Sequence, residues 1–351
     1  MEPRNRDRRA FVAGAAALVA GLHDTAASVP ARADEKGGAT LKVIDFHSHY
    51  VGPIFTPIAG AAAPAAQKPY WHQVNRNLSE PQALLSSIGT AGIAARVVNT
   101  PLEFLQNADD DVPIDTIRRI NDHLAELVGK YPGQLYALAT VDAFSGDAGA
   151  RELTRAVREL GLRGVFVASA KRDLFLDAPQ ARPTLAAAAA LGVPVFVHPI
   201  TDAQLRKRFA SYGLLGNTFN RGTINAAALI ALLEGGIFDE LPALRIVVTT
   251  LAIGGILLAG GFGDGRGLRR DAPELSRRHV YIDTMGLHPV LIRSVVDLLG
   301  ADHVLTGTDW PIFEETFVPE RLQAALTACG LDAAEQQLVA SGNALKLLGI
   351  T

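Results

Sequence analysis

The chain has 351 residues, 48% of them hydrophobic, with 33 basic and 36 acidic side chains for a formal charge of −3. That composition supports a sizeable core, and Lys and Arg are scattered rather than gathered into a stripe, which argues against a nucleic-acid partner. Its single cysteine, Cys329 in "ALTACG", excludes an internal disulfide and reads as a packing residue in a small-residue helix.

Residues 1–33 differ in character from the rest of the chain. "RDRRAFVAGAAALVAGL" sets Arg8 and Arg9 ahead of Phe11 and a mildly apolar run, and "ARAD" offers a small-x-small cleavage site after Ala33. The pattern resembles a twin-arginine export signal, with a disordered Ala-rich extension as the alternative. The run is too short to span a bilayer, and no later stretch is long and apolar enough. The mature chain, 34–351, is therefore expected to be soluble and periplasmic, with no membrane partner.

From Leu41 onward, short Val- and Ile-rich runs alternate with helical patterns. Strands are predicted at 43–46, 96–99, 135–140, 164–167, 195–197, 245–249, 280–282 and 304–306, apolar on both faces as in a covered parallel sheet. The first is followed by an irregular, Pro- and Ala-rich segment, "YVGPIFTPIAGAAAPAAQKPYWHQVN". There Trp71 and His72 either cover a substrate or form the loop's own small core. "SEPQALLSSIG" opens a helix with Ser79 as N-cap and Pro81 in the first turn. "PIDTIRRINDHLAELVGKYPG" repeats apolar residues at three and four and stops at Pro132–Gly133. Helical patterns also occupy 146–164, 182–194, 223–236 and 288–303. Eight alternating units without a change of composition read as one (β/α)8 barrel, with an open doubly wound sheet as the runner-up.

The chemistry begins in "VIDFHSHY". Strand alternation puts His47 and His49 on one face and Ser48 on the other, and two neutral imidazoles at a barrel mouth suit a divalent metal. Taken alone, His-x-His is equally a pair of structural histidines. "GVPVFVHP" adds His198 after the fifth strand, and "HVLTGTDWP" adds Asp309 after the eighth. Both are positions where a barrel gathers reacting groups. Three imidazoles and one carboxylate fit zinc, with manganese as the alternative.

These motifs, with "FDELPALRIVV", "YIDT" and "SGNALKLLG", resemble the amidohydrolase superfamily, in particular its aminocarboxymuconate-semialdehyde decarboxylase-like "amidohydrolase 2" branch. The likeness runs from Lys42 to Leu348. It implies a TIM barrel in which His47, His49, His198 and Asp309 hold one ion, and a non-oxidative decarboxylase of an unsaturated or aromatic acid. Family members usually carry a histidine after the sixth strand, whereas this chain reads "RIVVTTLAIGG". Thr250 takes that place, with two residues inserted before Gly254–Gly255. A threonine is no general base near neutral pH.

His288 in "YIDTMGLHP" is the candidate replacement, set against an exposed residue at a helix start. Asp283 and Glu103 are further rim carboxylates, Arg221 is a candidate anchor for a substrate carboxylate, and Asp45 is expected to orient the first two imidazoles. Asp309 is expected to serve as ligand and proton carrier. The expected partner is a small carboxylic acid, and a homodimer is left open. A metal-dependent hydrolase of an amide, lactone or imide is the second reading. A non-catalytic, exported, acid-binding barrel is the third.

Overall fold

The computed structural model describes residues 41–61, 63, 65–106, 110–261, 271–313 and 318–350; the export segment expected from the sequence lies outside them. Among the described residues, eight barrel strands form in chain order: β1 (Ile44–His49), β2 (Ala95–Asn99), β3 (Leu135–Ala137, continued by Ala139–Thr140), β4 (Val165–Ala168), β5 (Val195–His198), β6 (Ile246–Val248), β7 (Val280–Asp283) and β8 (Val304–Leu305). Each pairs in parallel with the next. At Leu138, β3 is interrupted, but the Leu138 N–H still donates to Val98 O at 3.0 Å. The ring closes where Phe46 N–H donates to Thr306 O and His49 N–H to Trp310 O, both at 2.8 Å. The predicted (β/α)8 barrel is thus present, and the open sheet is excluded.

The alternation expected of strands appears as two layers. Phe46, Val97, Leu138, Phe166, Phe196, Val247, Tyr281 and Leu305 pack together inside the barrel, closed at one end by Leu347 and Leu348 of the last helix, α6 (Asn343–Leu348). Val98, Val167, Val197, Val248 and Ile282 face outward into a second cluster. There they meet Ile120 and Leu124 of α3 (Ile114–Lys130), Leu229 and Leu233 of α4 (Gly213–Glu234), and Val295 of α5 (Pro289–Leu299). Burying both strand faces explains the lack of a polar stripe in the strand sequences.

Two local expectations need correction. The irregular segment after β1 contains a helix, α1 (Lys68–Ser79), that its Pro and Ala content concealed. Ser79 ends that helix, donating its hydroxyl to Asn75 O at 2.9 Å, so Glu80 takes the N-cap place of α2 (Pro81–Ala91). Cys329 is buried, and its thiol donates to Pro289 O at 3.1 Å, as a packing residue would.

Candidate metal centre

β1 is longer than predicted and carries a bulge. Ile44 and Asp45 pair with Ala95 and Arg96, but Ser48 and His49 pair with Val98 and Asn99, so β1 has one extra residue between Asp45 and Ser48. A bulge re-aims the side chains beyond it. Phe46 and His47 consequently both reach the barrel interior, where His47 lies 4.9 Å from the Phe196 ring, centroid to centroid, and Phe46 stacks on the same ring.

Four residues then converge. His47, His49 and His198 are buried, Asp309 is partly buried, and each presents a ligand atom within 4.8 Å of the others. His47 Nδ1–H donates to Asp283 Oδ2 at 2.6 Å, and His49 Nδ1–H donates to Asn99 Oδ1 at 2.7 Å. Each bond fixes the proton on Nδ1, so in the neutral ring Nε2 carries a lone pair. Those two Nε2 atoms face each other at 3.2 Å, and Asp309 Oδ1 lies 2.9 Å from one and 3.5 Å from the other. Lone pairs and a carboxylate gathered in a buried space repel one another unless a cation lies among them. The donor set therefore fits a divalent metal ion.

The electrostatics favour the neutral form for two of the three imidazoles. Burial, with the Arg221 guanidinium alongside, holds His198 well below the ordinary imidazole value. Burial also lowers His49, outweighing Asp309. For His47 the balance reverses: burial opposes the charged form, but Asp309 and Asp283 outweigh it and raise the value. Asp309 is lowered, because the imidazoles overcome the cost of burial.

Asp309 sits at φ 57°, in the left-handed region, where a non-glycine residue costs about 1–2 kcal/mol. The surrounding hydrogen bonds hold it there: its N–H donates to His47 O at 2.9 Å, and its carbonyl accepts from Ile312 and Phe313. Just before it, Gly307 has no room for a side chain, since a Cβ would lie 2.8 Å from Asp283 Cβ and 2.9 Å from His47 Cβ.

Other sequence candidates fall in different places. Asp45 does not touch the imidazole rings. Lying before the bulge, it accepts from the His47 N–H, Ser48 Oγ, Thr308 N and Oγ1, and Arg96 Nη1. Asp283 and Asn99 orient the rings instead. The sequence marks Asp283 only as a rim carboxylate and gives Asn99 no role, although a polar side chain ending β2 is a usable signal. Arg221 is brought to the site: it pairs with Glu103 at 2.9 Å and lies 3.4 Å from His198 Nε2.

Thr250 is buried at the expected point after β6, on a short 3-10 turn (Thr250–Ala252) that accommodates the inserted residues. It reaches the centre through its backbone, donating N–H to Asp283 Oδ1 at 2.8 Å. His288 is not brought in. It is exposed at the N-cap of α5 and makes no hydrogen bond to the cluster among the described residues. Trp71 packs against the satellite core of Val51, Ala59, Val74, Leu78 and Phe104, the loop-core alternative, and His72 is exposed.

The Amidohydro_2 (amidohydrolase) family model matches residues 44–350. A gamma-resorcylate decarboxylase of Polaromonas sp. strain JS666 is 29% identical over 256 residues, covering 61% of this chain and 74% of that protein. The 2-amino-3-carboxymuconate-6-semialdehyde decarboxylase of Dictyostelium discoideum is 24% identical over 290 residues, 80% of each chain. Among solved structures, a dihydroxybenzoic acid decarboxylase from Polaromonas sp. JS666, with bound manganese and 2-nitroresorcinol, superposes with a TM-score of 0.75. It is 23% identical and covers 88% of this chain and 97% of that one, which shows a shared fold.

Proposed function

The chain belongs to the Amidohydro_2 amidohydrolase family, and from that membership we propose that it is a metal-dependent, non-oxidative decarboxylase of a small aromatic or unsaturated carboxylic acid. One observation carries the reading: two imidazole lone pairs and the Asp309 carboxylate are held face to face in a buried space beside Arg221. His47, His49, His198 and Asp309 would hold one divalent ion, which when bound supplies Lewis acidity to a substrate oxygen. The three-imidazole, one-carboxylate set favours zinc. Manganese, present in the Polaromonas structure, is the other metal to load.

The chain's own groups divide the remaining work. Arg221, whose two terminal nitrogens are held by the Glu103 carboxylate, anchors the substrate carboxylate through its remaining N–H donors. Asp309 turns Oδ1 toward the imidazoles, leaving its second oxygen to carry a proton to the ring carbon that bears the carboxylate. Protonation there lets the carbon–carbon bond break and carbon dioxide leave. Phe166 and Phe104, whose rings lie 5.8 Å and 5.4 Å from that of His49, keep the centre dry and strengthen each polar contact. Among the described residues Thr250 contributes its N–H, to Asp283, and in this proposal the proton is assigned to Asp309.

The test is turnover by protein loaded with zinc or manganese against a panel of aromatic and muconate-type acids, with carbon dioxide and hydrolysis products measured separately. Carbon dioxide release supports the lyase; hydrolysis without it supports the hydrolase; neither, at full metal occupancy, supports the acid-binding barrel. Residues 1–33 are proposed to direct export as a twin-arginine signal. Arg8→Lys with Arg9→Lys should retain the precursor in the cell, and unchanged export would refute it.

A further inference from the structure

We propose that the cleft beside His198 has a second polar pole, Lys171 with Asp142, that binds a hydroxyl on the substrate ring remote from the scissile carboxylate. The proposal rests on the decarboxylase reading and adds a substrate feature to it. The cleft runs between the loops that follow β2, β3, β4 and β5. Its sides include Leu102, Val141, Phe144, Phe166 and Ile200, which make a narrow apolar slot. His198 and Glu103 line it at the metal centre, and Lys171 and Asp142 line it beyond β4. The two poles are tied together: Ala168 pairs in register with His198, and Lys171 follows in a short antiparallel hairpin (Ala170–Lys171 with Leu174–Phe175).

Lys171 is only 7% exposed, unusual for a lysine. Its ammonium donates to Asp142 Oδ2 at 2.6 Å and to Asp111 Oδ1 at 2.7 Å. Asp142 is itself buried, and its other oxygen accepts from Phe144 N–H at 3.0 Å. An ammonium has three N–H donors, and among the described residues these bonds use two of them. A hydroxyl entering the pole can accept the third and donate to Asp142, satisfying both of its own valences. A second carboxylate could accept the same N–H, but it would lie against the Asp142 carboxylate, a like-charge contact in a poorly solvated place. A methyl group would leave the ammonium donor unmatched on losing water. The pole therefore selects a neutral donor–acceptor substituent over an anionic or an apolar one.

Calorimetric titration of the manganese-loaded full chain tests this without requiring turnover. The probes are 3- and 4-hydroxybenzoate, the corresponding methylbenzoates, isophthalate and terephthalate. At one ring position the hydroxy acid should bind about tenfold more tightly than its methyl counterpart, the worth of one buried hydrogen bond, and more tightly than the dicarboxylate. The paired variant Lys171→Met with Asp142→Asn, which removes the pole without stranding a charge, should reduce that ratio to about twofold or less at normal metal content. Hydroxy and methyl acids of equal affinity in the wild type, a dicarboxylate that binds tightest, or a preference that survives in the variant would each overturn the assignment. The wild-type ratios decide alone if the variant does not fold. Preference without carbon dioxide release from any acid would leave the pole standing and remove the lyase reading.

Discussion

Two buried polar groups stand on either side of the β1 bulge, and their chemistry is opposite. Asp45 is saturated: both its oxygens accept, from the His47 N–H, Ser48, Thr308 and Arg96. It ties β1 to β2 and to the turn after β8, and Arg96 in addition lies 5.1 Å from the Trp310 ring centroid. Across the bulge, His47 and His49 are satisfied on Nδ1 and turn Nε2 toward each other and toward Asp309. A completed network holds a fold in one arrangement, whereas an incomplete one, kept in place by completed neighbours, is where a ligand belongs. The Asp45 network is the support, and the imidazoles are the site.

The sharpest way to break the comparison is to remove the support. Asp45→Ala strands the buried Arg96 guanidinium and should cost about 3–5 kcal/mol, as losing one partner of a buried pair does. Denaturant melts would show it, and a loss below about 1 kcal/mol would mean that the network is not structural. Removing the site should have the converse outcome. His47→Ala with His49→Ala should abolish metal occupancy by elemental analysis while leaving a folded barrel; full occupancy in that variant would rule out the ligand assignment.

Between these extremes lies Asp283, which belongs to both worlds. It accepts from the Nδ1–H of His47 and from the Thr250 and Met285 N–H groups. Asp283→Asn should weaken metal affinity by about 10–100-fold, as the loss of a partner behind a ligating histidine does, in competition titrations with a chelator. The smallest effect is expected at His288. Exposed and away from the cluster, its change to Ala should alter turnover by less than about twofold, against the two to four orders of magnitude expected of a general acid or base.

Much of this was legible in the chain. The strands were readable because most are short Val- and Ile-rich runs buried on both faces, a pattern that survives without knowledge of neighbours. His47, His49, His198 and Asp309 were readable because each lies at or just past the end of a strand, and strand ends in a barrel share one mouth. The α1 helix was hidden, since Pro and Ala in its approach mimic a loop and its stability comes from packing its own Val74 and Leu78 against Val51, Ala59 and Phe104.

The partners of the imidazoles were not legible. Nearness in sequence led to the expectation that Asp45 orients His47 and His49, but one extra residue in β1 turned it away, and a bulge is defined only against the strand it pairs with. His288 illustrates the same limit. The sequence put it near the rim, yet capping α5 points it to solvent. Local pattern determined which residues could form the site, because strand period and strand ends are properties of the chain itself. Only tertiary structure decided which of them meet, because register, bulge and the direction of a side chain across the barrel depend on residues far away in sequence, such as Asp283, 236 positions from His47.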